Sequence, residues 1–306
     1  MSISNMVGGF QDHYGLNQSP FSLAPNTDFY VDVSTQQECF NVLNYALQTG
    51  EGFIKITGEV GTGKTLLCRR LLNSLTDEYV SIYIPNPSLN PQALWRAIAH
   101  ELGIEINNVD IHQVQELIQE KILSFALNKK SVILIVDEAQ CLPEDSLEAM
   151  RLISNLELES RSLIQIVLFG QPELNDLLAK ERFRQLRQRI SYSAELKPMD
   201  DKSLQHYIQQ RMILAGYRGM PIFDDKALKL MAKATLGIPR LINIIAQKAM
   251  FSAFGGGEKQ VSGVHVRAAA ADTEGAYSLP KSNSYYWREI VLISLMTLLV
   301  AINEFN

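Results

Sequence analysis

Apolar residues in the first part of the chain alternate between short runs and stretches with helical spacing. The short runs predict strands at 53–57, 80–84, 132–136 and 163–169. The run at 132–136 is wholly apolar, which is typical of a strand that is buried on both faces of a parallel sheet. Helical periodicity lies between these runs. The alternation predicts an α/β fold in which helices flank a doubly wound parallel sheet.

The pattern changes after Pro198. Segments 203–215, 225–236 and 239–254 all have helical periodicity, and no strand pattern separates them. We therefore expect a small all-helical domain after the α/β domain. The predicted organisation is an N-terminal segment at 1–33, an α/β domain at 34–198, a helical domain at 199–272, a linker at 273–289 and an apolar C-terminal segment at 290–306.

Charge and cysteine content limit the class of binding partner and the cellular compartment. The net charge of −5 argues against a mainly electrostatic nucleic-acid binder, although it leaves room for a local basic patch. Cys39, Cys68 and Cys141 form no close pair in the sequence, which favours a reducing compartment. The N-terminus lacks the basic start and the apolar stretch of a secretory signal, so we expect a cytoplasmic location.

The C-terminal segment has a different character. Residues 290–302 are almost wholly apolar, and the cluster that precedes them consists of Tyr285, Tyr286, Trp287 and Arg288. A spanning helix needs about 20 apolar residues, so a shorter run favours contact with a membrane surface or a partner over a full span. The aromatic cluster resembles a membrane-interface belt. Burial in the protein core is the alternative.

A glycine-rich loop carries the clearest chemistry. It consists of Gly58, Glu59, Val60, Gly61, Thr62, Gly63, Lys64 and Thr65, and Leu66 continues into the next predicted helix. Glycines let backbone N–H groups turn towards a polyphosphate, Lys64 places a charge on the phosphates, and Thr65 offers a hydroxyl to Mg²⁺. A chance glycine turn is the alternative, but the flanking strand and helix patterns argue against it. The loop predicts binding of ATP with Mg²⁺.

Two carboxylates follow the buried strand at 132–136. Asp137 can hold Mg²⁺ through water, and Glu138 can orient or deprotonate the attacking water. The alternative is that both residues only cap a helix that begins near Ser146. In combination with the glycine-rich loop, the two carboxylates predict hydrolysis as well as binding.

Gln171 is a weaker candidate for the same site. It follows the predicted strand at 163–169, and it can reach the γ-phosphate or the water if that strand lies beside 132–136. The alternative is that Gln171 is only a turn residue before Pro172.

Arginines supply two more candidates. The densest basic segment contains Arg182, Arg184, Arg187 and Arg189. Such a segment is usually a solvated charge run, but one of its arginines could also stabilise the phosphoryl group in a neighbouring subunit's site. Arg240 lies in the first turn of a predicted helix, where the helix dipole disfavours a cation, and a phosphate opposite would explain this placement.

Taken in order, these motifs resemble one family. The strings are GEVGTGKT at 58–65, VDEAQ at 136–140, FGQPEL at 169–174, QRI at 188–190 and GIPRLIN at 237–243. They are similar to the AAA+ ATPases of the general secretion pathway protein A (ExeA) group, in particular its members that serve MSHA pilus biogenesis. The N-terminal string that begins at Pro20-Phe21 matches the opening segment of this group. The resemblance covers about residues 14–266.

The resemblance implies roles for individual residues. Asp137 is implied to bind Mg²⁺ and Glu138 to act as the general base. Gln171 resembles the first sensor, and Arg240 resembles the second sensor on a helical lid. Arg189 resembles the arginine finger, with Arg187 as a competitor. The family often has a histidine where Gln36 and Gln37 stand here, and we interpret this difference as one of packing, away from the hydrolysis residues.

The resemblance also implies a cellular role. The leading hypothesis is a cytoplasmic AAA+ ATPase, peripheral at the inner membrane, that supports assembly of a type IV (MSHA-like) pilus or a type II secretion complex. Its expected partners are ATP, further copies of the same chain in a homo-oligomer such as a nucleotide-dependent hexamer, inner-membrane components, and the membrane through 285–302. The alternatives are a DNA-binding ATPase that resembles transposition target-selection proteins and a non-hydrolysing nucleotide switch. The acidic net charge and the apolar C-terminal segment argue against nucleic acid as a partner, and an intact Glu138 and Arg240 argue against the switch.

Overall fold

A computed structural model of the chain describes residues 3–23, 29–50, 52–106, 109–158 and 161–279. The predicted apolar segment at 290–306 and the aromatic cluster before it lie outside the described residues. The described chain divides into two compact units. One unit is Thr35–Lys197, and the other combines the N-terminal residues up to Ser34 with the residues from Pro198 onward.

A parallel sheet forms the centre of the first unit. In the described residues its strands are β1 (Phe53–Thr57), β2 (Tyr79–Ile84), β3 (Ser131–Val136), β6 (Ile164–Gly170) and β7 (Ile190–Glu195), and their order is β2-β3-β6-β1-β7. The two-residue strands β4 (Glu157–Leu158) and β5 (Arg161–Ser162) pair separately as a small antiparallel hairpin. The central strands are buried on both faces because helices cover each side. The predicted α/β fold with a parallel sheet is confirmed.

Strand β3 shows how the apolar pattern builds two cores. Side chains alternate along a strand, so Ile133 and Ile135 face one cluster while Val132 and Leu134 face the other. The first cluster includes residues of α2 (Ser34–Thr49) and α3 (Lys64–Ser74). The second includes residues of α4 (Pro91–Glu101), α5 (Ile111–Leu127) and α6 (Glu144–Ile153).

Local capping explains where several helices begin. Asn90 accepts a hydrogen bond from the Ala93 N–H, and Pro91 occupies the first helical position of α4. Asp110 forms a reciprocal capping box with Gln113 at the start of α5. The short helices α7 (Glu173–Ala179) and α8 (Arg184–Arg189) follow β6 and lead into β7. Neither these two short helices nor β7 is predicted from the sequence, although in β7 Ile190, Tyr192 and Ala194 alternate with polar residues as in a half-buried strand.

The second unit is helical. It contains α1 (Ile3–Tyr14), α9 (Asp201–Leu214), α10 (Asp225–Thr235), α11 (Pro239–Gly255) and α12 (Gly263–Ala271). Phe10 packs against Phe251 with a distance of 4.5 Å between the ring centroids, and the Tyr14 hydroxyl donates to the Met250 carbonyl at 2.9 Å. The N-terminal residues therefore contribute to the core of this unit. None of the helices in the described part of the chain is long and apolar enough to span a membrane.

Candidate nucleotide site

The candidate residues of the first unit meet at the carboxyl ends of neighbouring strands. Strand β6 pairs with β1 on one side and with β3 on the other, all in parallel. The register sets Thr57 opposite Gly170 and Val136 opposite Leu168. Because each of these strands ends at the same edge of the sheet, the segments that follow them converge there, where open α/β sheets bind ligands.

The glycine-rich loop between β1 and α3 needs residues without a side chain. Gly61 and Gly63 have φ values of 82° and 101°, in the left-handed region that favours glycine. A Cβ on Gly58 would lie 2.8 Å from the Leu196 carbonyl oxygen and 2.9 Å from Thr62 Oγ1. The loop therefore follows a path that alanine could take only with displacement of the surrounding backbone. Glu59 and Val60 at its tip are exposed.

Lys64 lies inside this loop and is only 4% exposed. Its Nζ donates to the carbonyl oxygens of Gly58 at 2.8 Å and Glu59 at 3.1 Å. Burial lowers the pKa of Lys64, and the negative charges of Glu138 and Asp137 act in the opposite direction. The side chain is thus a buried cation that adjoins two carboxylates.

Asp137 is buried beside the start of α3. It hydrogen-bonds the Thr65 side chain, and its Oδ1 accepts the Glu138 N–H at 3.0 Å. Burial raises the pKa of Asp137, although both hydrogen bonds and the Lys64 charge favour the ionised form. A hydroxyl and a carboxylate in contact are oxygen donors of the kind that Mg²⁺ prefers, so this pair fits the ion.

Glu138 has a left-handed backbone, with φ of 51°. Its Oε2 accepts hydrogen bonds from the side-chain amides of Gln140 and Gln171, the latter at 3.0 Å. Burial acts to raise the pKa of Glu138, but these two hydrogen bonds and the Lys64 charge outweigh it, and the pKa is lowered. The interpretation of Asp137 and Glu138 as caps of the next helix is wrong, because α6 begins after Pro143 without a side-chain cap.

The structure brings Gln171 to the site, because β6 lies next to β3 as the sequence interpretation assumes. Gln140 is a residue that this interpretation missed, although it belongs to the VDEAQ string. Gln140 Oε1 accepts the Gln171 N–H at 2.9 Å, while its amide donates to Glu138. The sequence signal that could have indicated Gln140 is its position two residues after Glu138. In the structure, this residue lies in the short 3₁₀ turn Ala139–Cys141.

Gln36 also adjoins the site. It is 5% exposed on α2, and its Nε2 lies 3.5 Å from the Thr62 carbonyl oxygen, at the outer limit for a hydrogen bond. A Cβ on Gly63 would lie 2.9 Å from the same Nε2. The interpretation that Gln36 lies away from the hydrolysis residues is therefore wrong, because α2 packs this side chain against the phosphate loop.

The candidate arginines of the first unit contact other segments of that unit. Arg189 Nη1 donates to the carbonyl and hydroxyl oxygens of Ser154, both at 3.1 Å. Arg187 Nη1 donates to the carbonyls of Leu178 and Ala179 at the end of α7. Both guanidinium groups therefore have partners within their own unit. Arg240 is exposed in the first turn of α11, in the helical unit. The roles of these arginines stay predictions.

Comparisons with known proteins agree with this architecture. A family model described as an AAA domain matches residues 47–178. General secretion pathway protein A of Aeromonas hydrophila is 39% identical over 268 residues, which are 87% of this chain and 49% of that protein. The chain therefore spans about half the length of this curated relative.

Solved structures show the same fold at low sequence identity. Cdc6p of Pyrobaculum aerophilum is 20% identical with a TM-score of 0.66, covering 85% of this chain and 72% of that one. The ORC2 protein of Aeropyrum pernix, solved as ADPNP and ADP complexes, is 17% identical with a TM-score of 0.59, covering 86% and 73%. The RuvB Holliday junction branch migration motor of Thermotoga maritima is 19% identical with a TM-score of 0.53, covering 83% and 72%.

The fold and the glycine-rich loop, together with the AAA domain match, define a AAA+ protein of the P-loop class. Within that class, the similarity to general secretion pathway protein A supports an ExeA-like AAA+ ATPase.

Proposed function

We propose that this chain binds ATP with Mg²⁺ at the loop Gly58–Thr65 and hydrolyses it. The observation that carries the proposal is the convergence of Lys64, Asp137 and Glu138 at one edge of the sheet. Lys64 is a buried cation that adjoins both carboxylates. Phosphoryl transfer requires mainly positioning and electrostatic stabilisation, which buried charges and inward-facing backbone N–H groups supply.

The chemistry of each side chain indicates its role in ATP binding or hydrolysis. The loop and Lys64 bind the phosphates, and Leu66 continues the helix whose N-terminus points at them. Thr65 and Asp137 would hold Mg²⁺, which neutralises phosphate charge when it is bound. Glu138 accepts the proton of the attacking water, and its lowered pKa keeps it ionised for that purpose. Gln171 contacts Glu138 and reports on the γ-phosphate.

Two substitutions test this assignment. Lys64→Ala removes the phosphate-binding charge, so we expect loss of both binding of a fluorescent ATP analogue and phosphate release. Glu138→Gln keeps the size of the side chain, so we expect retained binding with hydrolysis reduced by roughly 10²- to 10⁴-fold, the usual contribution of a general base. Exposed Lys130→Ala and Glu120→Gln are the matched controls. Unchanged hydrolysis in both site variants would refute the proposal.

We further propose that the site is completed between subunits of a homo-oligomer. Arg189 would approach the phosphates of a neighbouring subunit, using N–H groups other than the Nη1 contact with Ser154, and Arg240 would contribute from the helical unit. Mixing Arg189→Ala subunits with Glu138→Gln subunits tests this idea. Partial recovery of ATPase activity in the mixture supports a shared site, whereas activity no greater than the sum of the two variants contradicts it.

The proposed cellular task is assembly of a pilus or secretion complex at the inner membrane, by ATP-driven rearrangement of subunits. It is supported by the likeness to general secretion pathway protein A, of which this chain spans about half. We propose a cytoplasmic, peripheral location, with membrane contact through 285–302. Removal of the residues after Pro280 is expected to release the protein from a membrane fraction. Continued sedimentation with membranes would contradict this contact.

A further inference from the structure

Glu138 is held by an amide network that joins two strand ends. Its Oε2 receives N–H groups from the side chains of Gln140 and Gln171. Gln140 also accepts the backbone N–H of Gln171 at 2.9 Å. The three residues therefore form a closed set of hydrogen bonds between the segment after β3 and the end of β6.

The orientation of the Gln140 amide follows from its partners. A backbone N–H can only donate, so the atom that faces it must be the oxygen of the Gln140 amide. The amide nitrogen then faces the Glu138 carboxylate, which can only accept when it is ionised. In a flipped amide, the Gln140 nitrogen would face the Gln171 N–H, which is also a donor. The Gln140 oxygen would face the Glu138 carboxylate, which is also an acceptor. The side chain thus has a single favourable orientation.

The surrounding backbone is built for this contact. A Cβ on Gly170 would lie 3.3 Å from Gln140 Oε1 and 2.7 Å from Leu174 Cδ2, so a side chain at 170 would crowd the amide. Glu138 itself has the left-handed backbone, with φ of 51°, which is strained for a residue with a side chain. Its hydrogen bonds to Gln140 and Gln171 keep the carboxylate in place despite this strain.

We propose that Gln140 is a positioning residue for hydrolysis, which acts by holding the Glu138 carboxylate towards the attacking water. This inference rests on the proposed ATPase function. Both amides donate to Oε2, so neither of them occupies Oε1, which is left to accept a hydrogen bond from the attacking water. Gln140 also links Glu138 to the main chain at Gln171. A displacement of the carboxyl end of β6 would therefore move the Glu138 carboxylate.

The test uses Gln140→Glu in the whole 306-residue chain. This variant keeps the shape of the side chain and the acceptor for the Gln171 N–H, but an ionised carboxylate cannot donate to Glu138. We expect kcat for ATP to fall roughly 10- to 100-fold, as displaced catalytic groups do, while KM changes less than about twofold. Gln119→Glu on the exposed face of α5 controls for the added charge.

A double-mutant cycle separates positioning from a structural effect. If Gln140 acts through Glu138, then Gln140→Glu causes little further loss of rate when Glu138 is already glutamine. The inference is overturned if kcat is unchanged, if the loss is the same in both backgrounds, or if KM and the melting temperature shift together with kcat. An inactive wild type would instead overturn the proposed function, and the inference would fall with it.

Discussion

Replacing Arg211 by methionine tests how the N-terminal residues are attached to the helical unit. Arg211 lies on α9 and is only 6% exposed. Its Nε donates to the Pro20 carbonyl at 2.6 Å, and its Nη2 donates to the Ser22 carbonyl at 3.3 Å. Its Nη1 contacts the Tyr207 hydroxyl at 3.0 Å. One buried cation therefore connects α9 to the chain that follows α1.

The expected magnitude follows from these contacts. Methionine fills a similar space but donates nothing, so the two carbonyls of Pro20 and Ser22 lose a charged donor, at about 1–3 kcal/mol each. The gain from no longer burying a guanidinium offsets part of this loss. We expect the attachment to weaken by about 2–4 kcal/mol, which corresponds to roughly 30- to 700-fold in the equilibrium for local opening.

Hydrogen–deuterium exchange measured by mass spectrometry resolves this effect. Peptides from 9–23 should exchange faster in Arg211→Met, because opening of the segment limits their exchange. Peptides that contain β3, in the other unit, should keep the wild-type rate. Arg218→Met on the exposed surface of the same unit is the control. If the N-terminal peptides are unchanged, or if β3 exchanges equally faster, Arg211 does not anchor this segment.

Two other predictions concern stability and thiol chemistry. A Cβ on Gly237, which has φ of 77°, would lie 1.9 Å from the Met199 carbonyl oxygen. Urea titration followed by circular dichroism should therefore show that Gly237→Ala lowers the free energy of unfolding by about 3 kcal/mol or more, against about 1 kcal/mol for Gly257→Ala, which has a similar φ and no close neighbour. An equal loss in the two variants would contradict this steric argument. Iodoacetamide should label the folded protein once, at exposed Cys141, because the other two cysteines are buried and burial raises the pKa of Cys39 to about 11. Three labels on the folded protein would show that these two thiols are accessible.

Local patterns along the chain account for most of the fold. The predicted strand at 53–57 coincides with β1, and the predicted helical segment at 225–236 agrees within one residue with α10, which Asp224 caps. Both have strong local signals, an apolar run and a capping residue respectively. Strand β7 has a weaker signal and is not predicted from the sequence, because it is an edge strand in which half-exposed Ile190, Tyr192 and Ala194 alternate with exposed polar residues. Its existence depends on pairing with β1, which lies far away in the sequence.

The sequence by itself determined the nucleotide loop and the two carboxylates. Gly58–Thr65 and Asp137 can be identified from the sequence because each belongs to a pattern of contiguous residues. These patterns are a phosphate loop and an acid after a buried strand, and each has its own chemical requirement. The loop's glycines are needed wherever the rest of the chain goes, since their backbone angles are a local property.

Only the tertiary structure decided what surrounds these residues. Gln140 and Gln171 meet Glu138 because β3 and β6 are neighbours in one particular register, and Gln36 meets the phosphate loop because α2 packs on that face of the sheet. Pro20 meets Arg211 across 191 positions of sequence. Each contact joins polar groups whose partners are set by packing between distant segments, and no local pattern carries that information.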